Sequence, residues 1–461
     1  MTAHLRHSRI AKALTDRKSN ALSFTASEAL LRATRVAIVV GDGTGASPAA
    51  QAAALTAMAT AVKCFGSAVI VVDGTTPLTK PMRCGATLGD AARFFGATVR
   101  QAAPSDATHV IVIGEHVPER AGVFVRCWWD GWTAGVVPAW DDRPLGGELN
   151  PLSGVAAGAL AIREVFASMI GNQRASQRAS IVSLWEPWQA PEKAEPGPAV
   201  VCVAAKLWFV GLGHLGQGYL WSLALLPGSG ENLVLQDDQK AGEENEATGL
   251  LTYGNDVGRR KTRVAASWLE PAWETALIER RHQSDICLTD DDPAIVFAGL
   301  DNVPARFSIA RAAFDYMIDA GVGHGPVDFE SLQLRVLRKG TDPAAQWSAK
   351  EKTKDVEVML DREVYRDYIA KHDRCGAFEL AEGSVAVPFV GAFVGALGIA
   401  QGIRIASGRP TAEFLQAELG APSMTTAGRM HEKPNEPMKR FEIRVGQVQE
   451  IDAASESPGE M

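Results

Sequence analysis

At 461 residues the chain is longer than one ordinary hydrophobic core supports, so two domains are expected, and its 46% hydrophobic and 22% charged residues are those of a globular protein. With 46 Lys and Arg against 54 Asp and Glu the formal net charge is -8 and no basic stripe offsets it, which argues against nucleic acid as the main partner. Six cysteines with no Cys-x-x-Cys pair and no Cys/His cluster argue against structural zinc and a disulfide framework, and fit a reducing cytoplasm.

Met1 to Lys18 is basic and polar, without the apolar core of a secretory signal, and a helix-like stretch follows it. From Val36 short apolar strands alternate with Ala-rich helical segments, the βαβ signature of a parallel sheet covered on both faces. Val36 begins a strand that runs into Gly41-Asp-Gly-Thr-Gly; Pro48 to Lys63 reads as a helix capped by Ser47. Ala68 to Asp73, His109 to Glu115 and Trp132 to Pro138 read as strands, and Asn150 to Phe166 as a long helix. From Gly171 to Pro198 the composition turns to Gln, Arg, Ser, Glu, Pro and Lys, as in a linker that lies on a surface through Trp185 and Trp188.

The second half repeats this order. Trp208 to Gly216 answers to Val36 to Gly45, Asn232 to Asp238 to Ala68 to Asp73, Ile295 to Asn302 to His109 to Glu115, and Tyr316 to Gly323 to Trp132 to Pro138. The run from Val387-Pro-Phe-Val-Gly answers to Asn150-Pro-Leu-Ser-Gly. Val385 to Ala400, the most apolar run, is broken by Pro388 and glycines and reads as a buried helix, so no membrane contact is expected. A charged helix-like stretch from Trp347 to His372 and then Arg374-Cys375-Gly376 interrupt the second copy, Arg440 to Val445 alternates like a strand, and Ala453 to Met461 looks disordered. The expected layout is a degenerate domain over 1–172, a linker over 173–198, an active domain over 199–409 with an insertion at 326–386, and an extension over 410–461. The expected fold is α/β, two tandem Rossmann-like domains forming an internal pseudo-dimer.

The chemistry concentrates in the second copy. A strand ending in Gly211-x-Gly213-x-x-Gly216 and turning into a helix offers backbone N–H groups to a phosphate. On spacing alone the reading is a dinucleotide dehydrogenase with Asp237 or Asp238 on a ribose hydroxyl. Lys261, one segment past those acids, suits a triphosphate instead, and Asp301, at the end of a strand, suits Mg²⁺ held against phosphates. The first copy's turn lacks this spacing and carries Asp42, so no nucleotide is expected there. His214 and His324 read as scaffold, and Cys202 and Cys287 as core.

The set formed by Gly211-x-Gly-x-x-Gly216, the strand acids, Asp256-x-Gly-x-x-Lys261, Gly299-Leu-Asp-Asn-x-x-x-Arg306, Asp319-Ala-Gly and Pro388-x-x-Gly resembles the E1/ThiF/MoeB adenylating-enzyme family. The resemblance covers Leu207 to Arg404 and, through the degenerate copy, Val36 to Phe166. It is strongest to stand-alone E1 proteins of bacterial ubiquitin-like conjugation operons, some of which serve in antiphage defence. It implies an enzyme that uses ATP and Mg²⁺ to adenylate the C-terminal glycine of a ubiquitin-like protein and then passes it, as a thioester on its own cysteine, to an E2-like protein. Residue by residue it assigns Gly211, Gly213 and Gly216 to the phosphates, Asp237 or Asp238 to the ribose, and Lys261 to the β and γ phosphates. Asn245 and Asn302 complete the nucleotide set, Asp301 takes the metal, Arg9 is the arginine lent by the other copy's N-terminal segment, and Cys375 is the thioester nucleophile, its pKa lowered by Lys371, His372 and Arg374. Thr248 departs from the family, which has an arginine there, leaving Arg259, Arg260 or Arg263 for that charge. The rival readings are a sulfur-carrier or peptide adenylyltransferase without a thioester step, a NAD(P)-dependent oxidoreductase, and a catalytically dead scaffold.

Overall fold

A computed structural model describes residues 7–41, 43, 45, 47–114, 123–199, 202–228, 230–270, 272–312, 314–347, 356–371, 374–431 and 441–444. Arg6, Asp42, Glu115, His372, 453–461 and the side chain of Cys375 lie outside the described residues.

Two short helices, α1 (Ser8–Thr15) and α2 (Phe24–Ala33), precede the first sheet. β1 (Val36–Val40) leads through the first Gly turn into α3 (Pro48–Phe65), whose start is fixed by Pro48 and by the Ser47 hydroxyl, which accepts from Ala50 N. β2 (Val69–Val71), the hairpin β3 (Pro77–Met82) and β4 (Gly85–Thr87), α4 (Leu88–Phe95) and β5 (Thr98–Arg100) follow. β6 (His109–Ile113), β7 (Val123–Asp130), β8 (Thr133–Pro138), α5 (Pro151–Met169) and β9 (Ser180–Ser183) end this half.

The second half opens with β10 (Cys202–Ala205), β11 (Leu207–Val210), α6 (His214–Leu225), β12 (Gly230–Gln236) and α7 (Glu243–Thr248). It goes on through α8 (Lys261–Leu269), β13 (Trp273–Ile278), β14 (Ile295–Ala298), α9 (Val303–Arg311), β15 (Tyr316–Val322) and β16 (Ser331–Arg338). Three helices, α10 (Val356–Leu360), α11 (Glu363–Lys371) and α12 (Arg374–Glu382), precede the long α13 (Pro388–Ala406). β17 (Phe414–Glu418), β18 (Thr426–Ala427) and β19 (Phe441–Arg444) close the chain, β19 pairing antiparallel with β10.

The two main sheets have one topology. Their orders are β5-β2-β1-β6-β7-β8-β9 and β13-β12-β11-β14-β15-β16-β17-β18, parallel as far as β7 and β15 and antiparallel beyond. The fold is therefore α/β with two tandem Rossmann-like domains, as expected. One correspondence changes. The counterpart of β15 is β7, and Trp132 to Pro138 holds β8, which matches β16. β7 escapes a sequence reading because its run, Phe124-Val-Arg-Cys-Trp-Trp, has no alternation: both faces are covered, and even Arg126 is buried. The stretch read as a linker contributes β9 to the first sheet, and the residues read as insertion and extension contribute β16, β17 and β18 to the second.

Helices α3, α5, α6 and α13 lie between the sheets, and α5 packs on α13 at the centre. Close approach explains their small residues: a Cβ on Gly158 would fall 2.5 Å from Ala53 O of α3, and one on Gly395 2.1 Å from Gly218 O of α6. Both α5 and α13 are long and apolar enough to cross a membrane, yet 89% and 94% of their apolar windows are buried inside the protein, so they are core helices. Polar ties fix the halves to each other. Arg83 makes a two-pronged pair with the buried Asp256 (3.0 and 2.8 Å), Trp221 Nε1 donates to Thr56 Oγ1 (2.9 Å), and Gln401 Nε2 donates to Leu184 O (2.8 Å). Arg404 lies over Trp185 and Trp188, so both tryptophans do pack against the second half.

Candidate functional site

The second sheet reverses its strand order between β11 and β14, and the carboxyl ends of those strands form the crevice where such sheets hold ligands. The Gly turn lies on one side of it and the loop of Asp301 on the other. Each turn glycine has its own reason. Gly211 has φ +80°, and a Cβ there would sit 2.7 Å from Leu300 Cδ2; a Cβ on Gly216 would sit 2.0 Å from Gly211 O. Around Gly213 nothing lies within 4 Å of a Cβ, and the α6 N-terminus that it caps receives no side-chain hydrogen bond. The result is an open cradle at the positive end of a helix, which fits an anion.

Of the two acids after β12, Asp237 supports the turn: its oxygens accept from Leu212 N and Gln239 N, both at 2.7 Å. Asp238 faces outward and pairs with Arg281 at 2.8 Å. Gln217 fastens the turn from behind, donating to Leu212 O (3.2 Å) and Thr252 Oγ1 (2.9 Å) and accepting from Leu251 N (2.8 Å). Its first-half counterpart, Gln51, donates to Gly45 O (3.0 Å) and Pro77 O (2.9 Å).

Asn245 is buried, and its Oδ1 accepts from Gly242 N at 3.0 Å, which fixes the start of α7. Thr248 is also buried and bonds Glu244 O, so it turns into its own helix and presents nothing to the crevice. None of the three substitutes for its missing arginine is unengaged: Arg259 pairs with Asp256 (2.7 Å), Arg260 donates to Asp238 O (2.5 Å) and Arg263 pairs with Glu279 (2.8 Å). Lys261 opens α8 and donates to Gln239 Oε1 at 2.7 Å, a neutral partner that leaves its charge uncancelled. Gln239 thus bonds both the acid under the turn and the lysine, a position sequence reasoning missed because a lone Gln carries no signature.

Arg9 comes from α1, in the first half, and donates from Nε to Ser384 O at 3.1 Å. Burial holds its guanidinium below the usual arginine range, against the pull of Glu244 and then Asp301. His214, at the start of α6, also feels its charge. Burial lowers that imidazole to about 4, the hydrogen bond to Val387 O (2.8 Å) opposes the shift, and Arg9 adds to it. Arg9 is thus within electrostatic reach of Glu244 in α7, of Asp301 and of His214 at the start of α6, while His214 is a neutral brace.

Asp301 is exposed, and its one described hydrogen bond is a 3.2 Å contact from Asn302 Nδ2. Asn302 Oδ1 caps α9 by accepting from Ala305 N at 2.9 Å. Among the described residues no group of three or more His, Cys, Asp or Glu side chains could hold a metal. A single free carboxylate fits Mg²⁺ that arrives on nucleotide phosphates better than a resident ion in a protein cage.

Cys375 lies in the first turn of α12. Its neighbour Arg374 pairs with Glu357 at 3.0 Å, so that cation is engaged elsewhere. α11 and α12 are tied to α1: the fully buried Lys12 ammonium bonds Tyr365 OH (2.7 Å), Leu380 O (2.6 Å) and Asp16 (2.9 Å). The helix that carries Arg9 is thus also the mount of α11 and of the cysteine-bearing α12. Cys287 is exposed, contrary to the expectation of a core position, because it falls in the irregular stretch between β13 and β14.

Two family models match the chain, that of the BilD N-terminal domain over residues 35–184 and that of the BilD C-terminal domain over residues 203–409. A curated relative from Collimonas sp. (strain OK412), described as bacterial E1-like protein BilD, is 30% identical over 442 residues, which span 92% of this chain and 94% of that protein.

Proposed function

The chain belongs to the BilD family, and from that premise we propose that its second half activates the C-terminal glycine of a ubiquitin-like protein with ATP, as an E1 does. The observation that carries this reading is that α1, from the first half, packs against α7, so that the Arg9 guanidinium feels the carboxylates of Glu244 and Asp301 in the second half. A reaction between anions needs such a charge.

In the proposed reaction a carboxylate oxygen of the carrier attacks the α-phosphorus of ATP, the bond from that phosphorus to the bridging oxygen breaks, and pyrophosphate leaves with the electron pair. Attacking and leaving groups are all negative, so fixed positive charge must meet them. The α6 N-terminus receives the phosphates at Gly213, Arg9 sits over the approach, and Lys261 neutralises the departing pyrophosphate. Asp238, with only a surface partner to displace, accepts the ribose hydroxyls. Asp301 would hold Mg²⁺, which when bound screens the phosphate oxygens. The Cys375 thiolate then attacks the acyl carbon, AMP leaves, and the thioester passes to an E2-like protein.

The test is exchange of radiolabelled pyrophosphate into ATP with candidate ubiquitin-like proteins encoded beside this chain. The expected result is exchange that depends on the carrier's C-terminal glycine, is lost in Asp301→Ala, and persists in Cys375→Ala, while the thiol-sensitive carrier adduct disappears in both variants. Wild-type exchange with no adduct would mean that the reaction ends at the adenylate, and exchange by Asp301→Ala at the wild-type rate would remove the metal assignment.

A further inference from the structure

Beneath the exposed Asp301 the chain keeps a buried ion pair that the reaction above does not use. Arg306, the fourth residue of α9, donates from Nε to Asp319 Oδ1 at 2.9 Å, and Asp319 on β15 is completely buried. The same guanidinium donates from Nη2 to Leu300 O at 2.7 Å and to Ala320 O at 3.2 Å. Leu300 O is the carbonyl immediately before Asp301, and Asn302, immediately after it, is held as the α9 cap. The loop leaving β14 is therefore clamped on both sides of one residue whose own carboxylate is left nearly free.

A buried ion pair is a weak device for stability, since desolvation cancels most of its attraction. Here burial raises the Asp319 pKa, and Arg306 opposes that rise. What the arrangement does accomplish is geometric: a planar fork locks the backbone on which an exposed carboxylate stands. Groups that fix a metal ligand from behind commonly set affinity nearly as strongly as the ligand itself.

We propose that Arg306 is a positioning residue for the metal step: with Asp319 as its anchor, it holds the Asp301 backbone so that the carboxylate meets the divalent cation carried by the nucleotide. The inference rests on the adenylation reading. The test is calorimetric binding of a non-hydrolysable ATP analogue to the full chain, with Mg²⁺ and with EDTA. Because Arg306→Gln alone strands a buried aspartate, it is paired with Asp319→Asn, which keeps a neutral couple in place, and Arg306→Lys serves as a second variant. In the wild type Mg²⁺ should tighten binding. In the double variant that enhancement should fall by roughly tenfold, to the level of Asp301→Asn, with affinity in EDTA and the unfolding temperature little changed; Arg306→Lys should lie between. An unaltered Mg²⁺ enhancement in the double variant, or equal losses with and without Mg²⁺, would overturn the proposal. A wild type that binds the analogue without regard to Mg²⁺ would overturn it together with the adenylation reading, and the wild-type arm alone reveals that case.

Discussion

Arg9→Ala removes a single cation from the first half and should disable chemistry in the second. The structural cost is small, because the guanidinium has one described hydrogen bond, to Ser384 O at 3.1 Å, worth about 1 kcal/mol or less. The catalytic cost is larger. A preorganised donor lost from a charged transition state typically costs roughly 3 kcal/mol, close to 10²-fold in rate, and the carboxylates of Glu244 and Asp301 also lose the cation that they attract. The assay is pyrophosphate exchange at saturating carrier, beside thermal unfolding of the same preparations. Exchange should fall by about 10²-fold while the unfolding temperature moves by only a few degrees. Arg9→Lys should recover part of the rate, since it keeps the charge and loses the fork. A rate within about threefold of wild type, or a loss that tracks unfolding, would refute the assignment of Arg9 to the site.

Lys12→Met removes the buried ammonium that joins α1 to α11 and α12 and leaves Asp16 with Tyr365 OH at 2.8 Å and Arg362 at 4.0 Å; denaturant unfolding should show a loss of roughly 3 kcal/mol, the low end for a broken buried pair, part of which returns when Asp16→Asn is added. A loss under about 1 kcal/mol would mean that the contact holds nothing together. His214 supplies a pH test. It stays neutral in the folded chain down to about 4, whereas its ordinary value is 6.5, so the unfolded chain binds the proton first and stability falls as pH drops from about 6.5 to about 4, with no contribution above that window. His214→Gln, which keeps a side-chain N–H for Val387 O, should lose less stability across the window, by up to about 3 kcal/mol. Urea unfolding of both proteins at pH 7.5 and pH 4.5 measures it, and equal losses would show that the imidazole does not resist protonation.

Features carried by local pattern were legible in the sequence. Pro48 with Ser47, Asn150-Pro151 and Val387-Pro388 each announce a helix start, and the apolar runs at Val36 and Leu207 announce the first strand of each copy, because capping and strand burial are decided within a few residues. The antiparallel edges were not. β7 has no alternation to read, and β16 to β18 sit in stretches whose composition resembles an insertion and a tail. At the site, the glycine spacing gave the turn and the strand end gave Asp301. The division of labour between Asp237 and Asp238 was invisible, since it depends on which carboxylate turns toward Leu212 N. Arg306 stood in the motif without a role because its partners, Leu300 O and Asp319, meet only once β14 and β15 lie side by side. Lys12 and Tyr365, 353 positions apart, carry no local signal of each other.

Covalent union of the two halves has a consequence for how such a site is inherited and diluted. In a homodimer every substitution appears twice, and one gene must serve both as the lender of the arginine and as the holder of the nucleotide. On the proposed adenylation reading the two duties fall to different residues of one chain, so the first copy can lose its turn while keeping α1 and the faces of α3 and α5. Nor does the arginine have to be found by collision: the chain itself fixes its local concentration, and activity per molecule should hold constant at dilutions where a pair of separate subunits would fall apart.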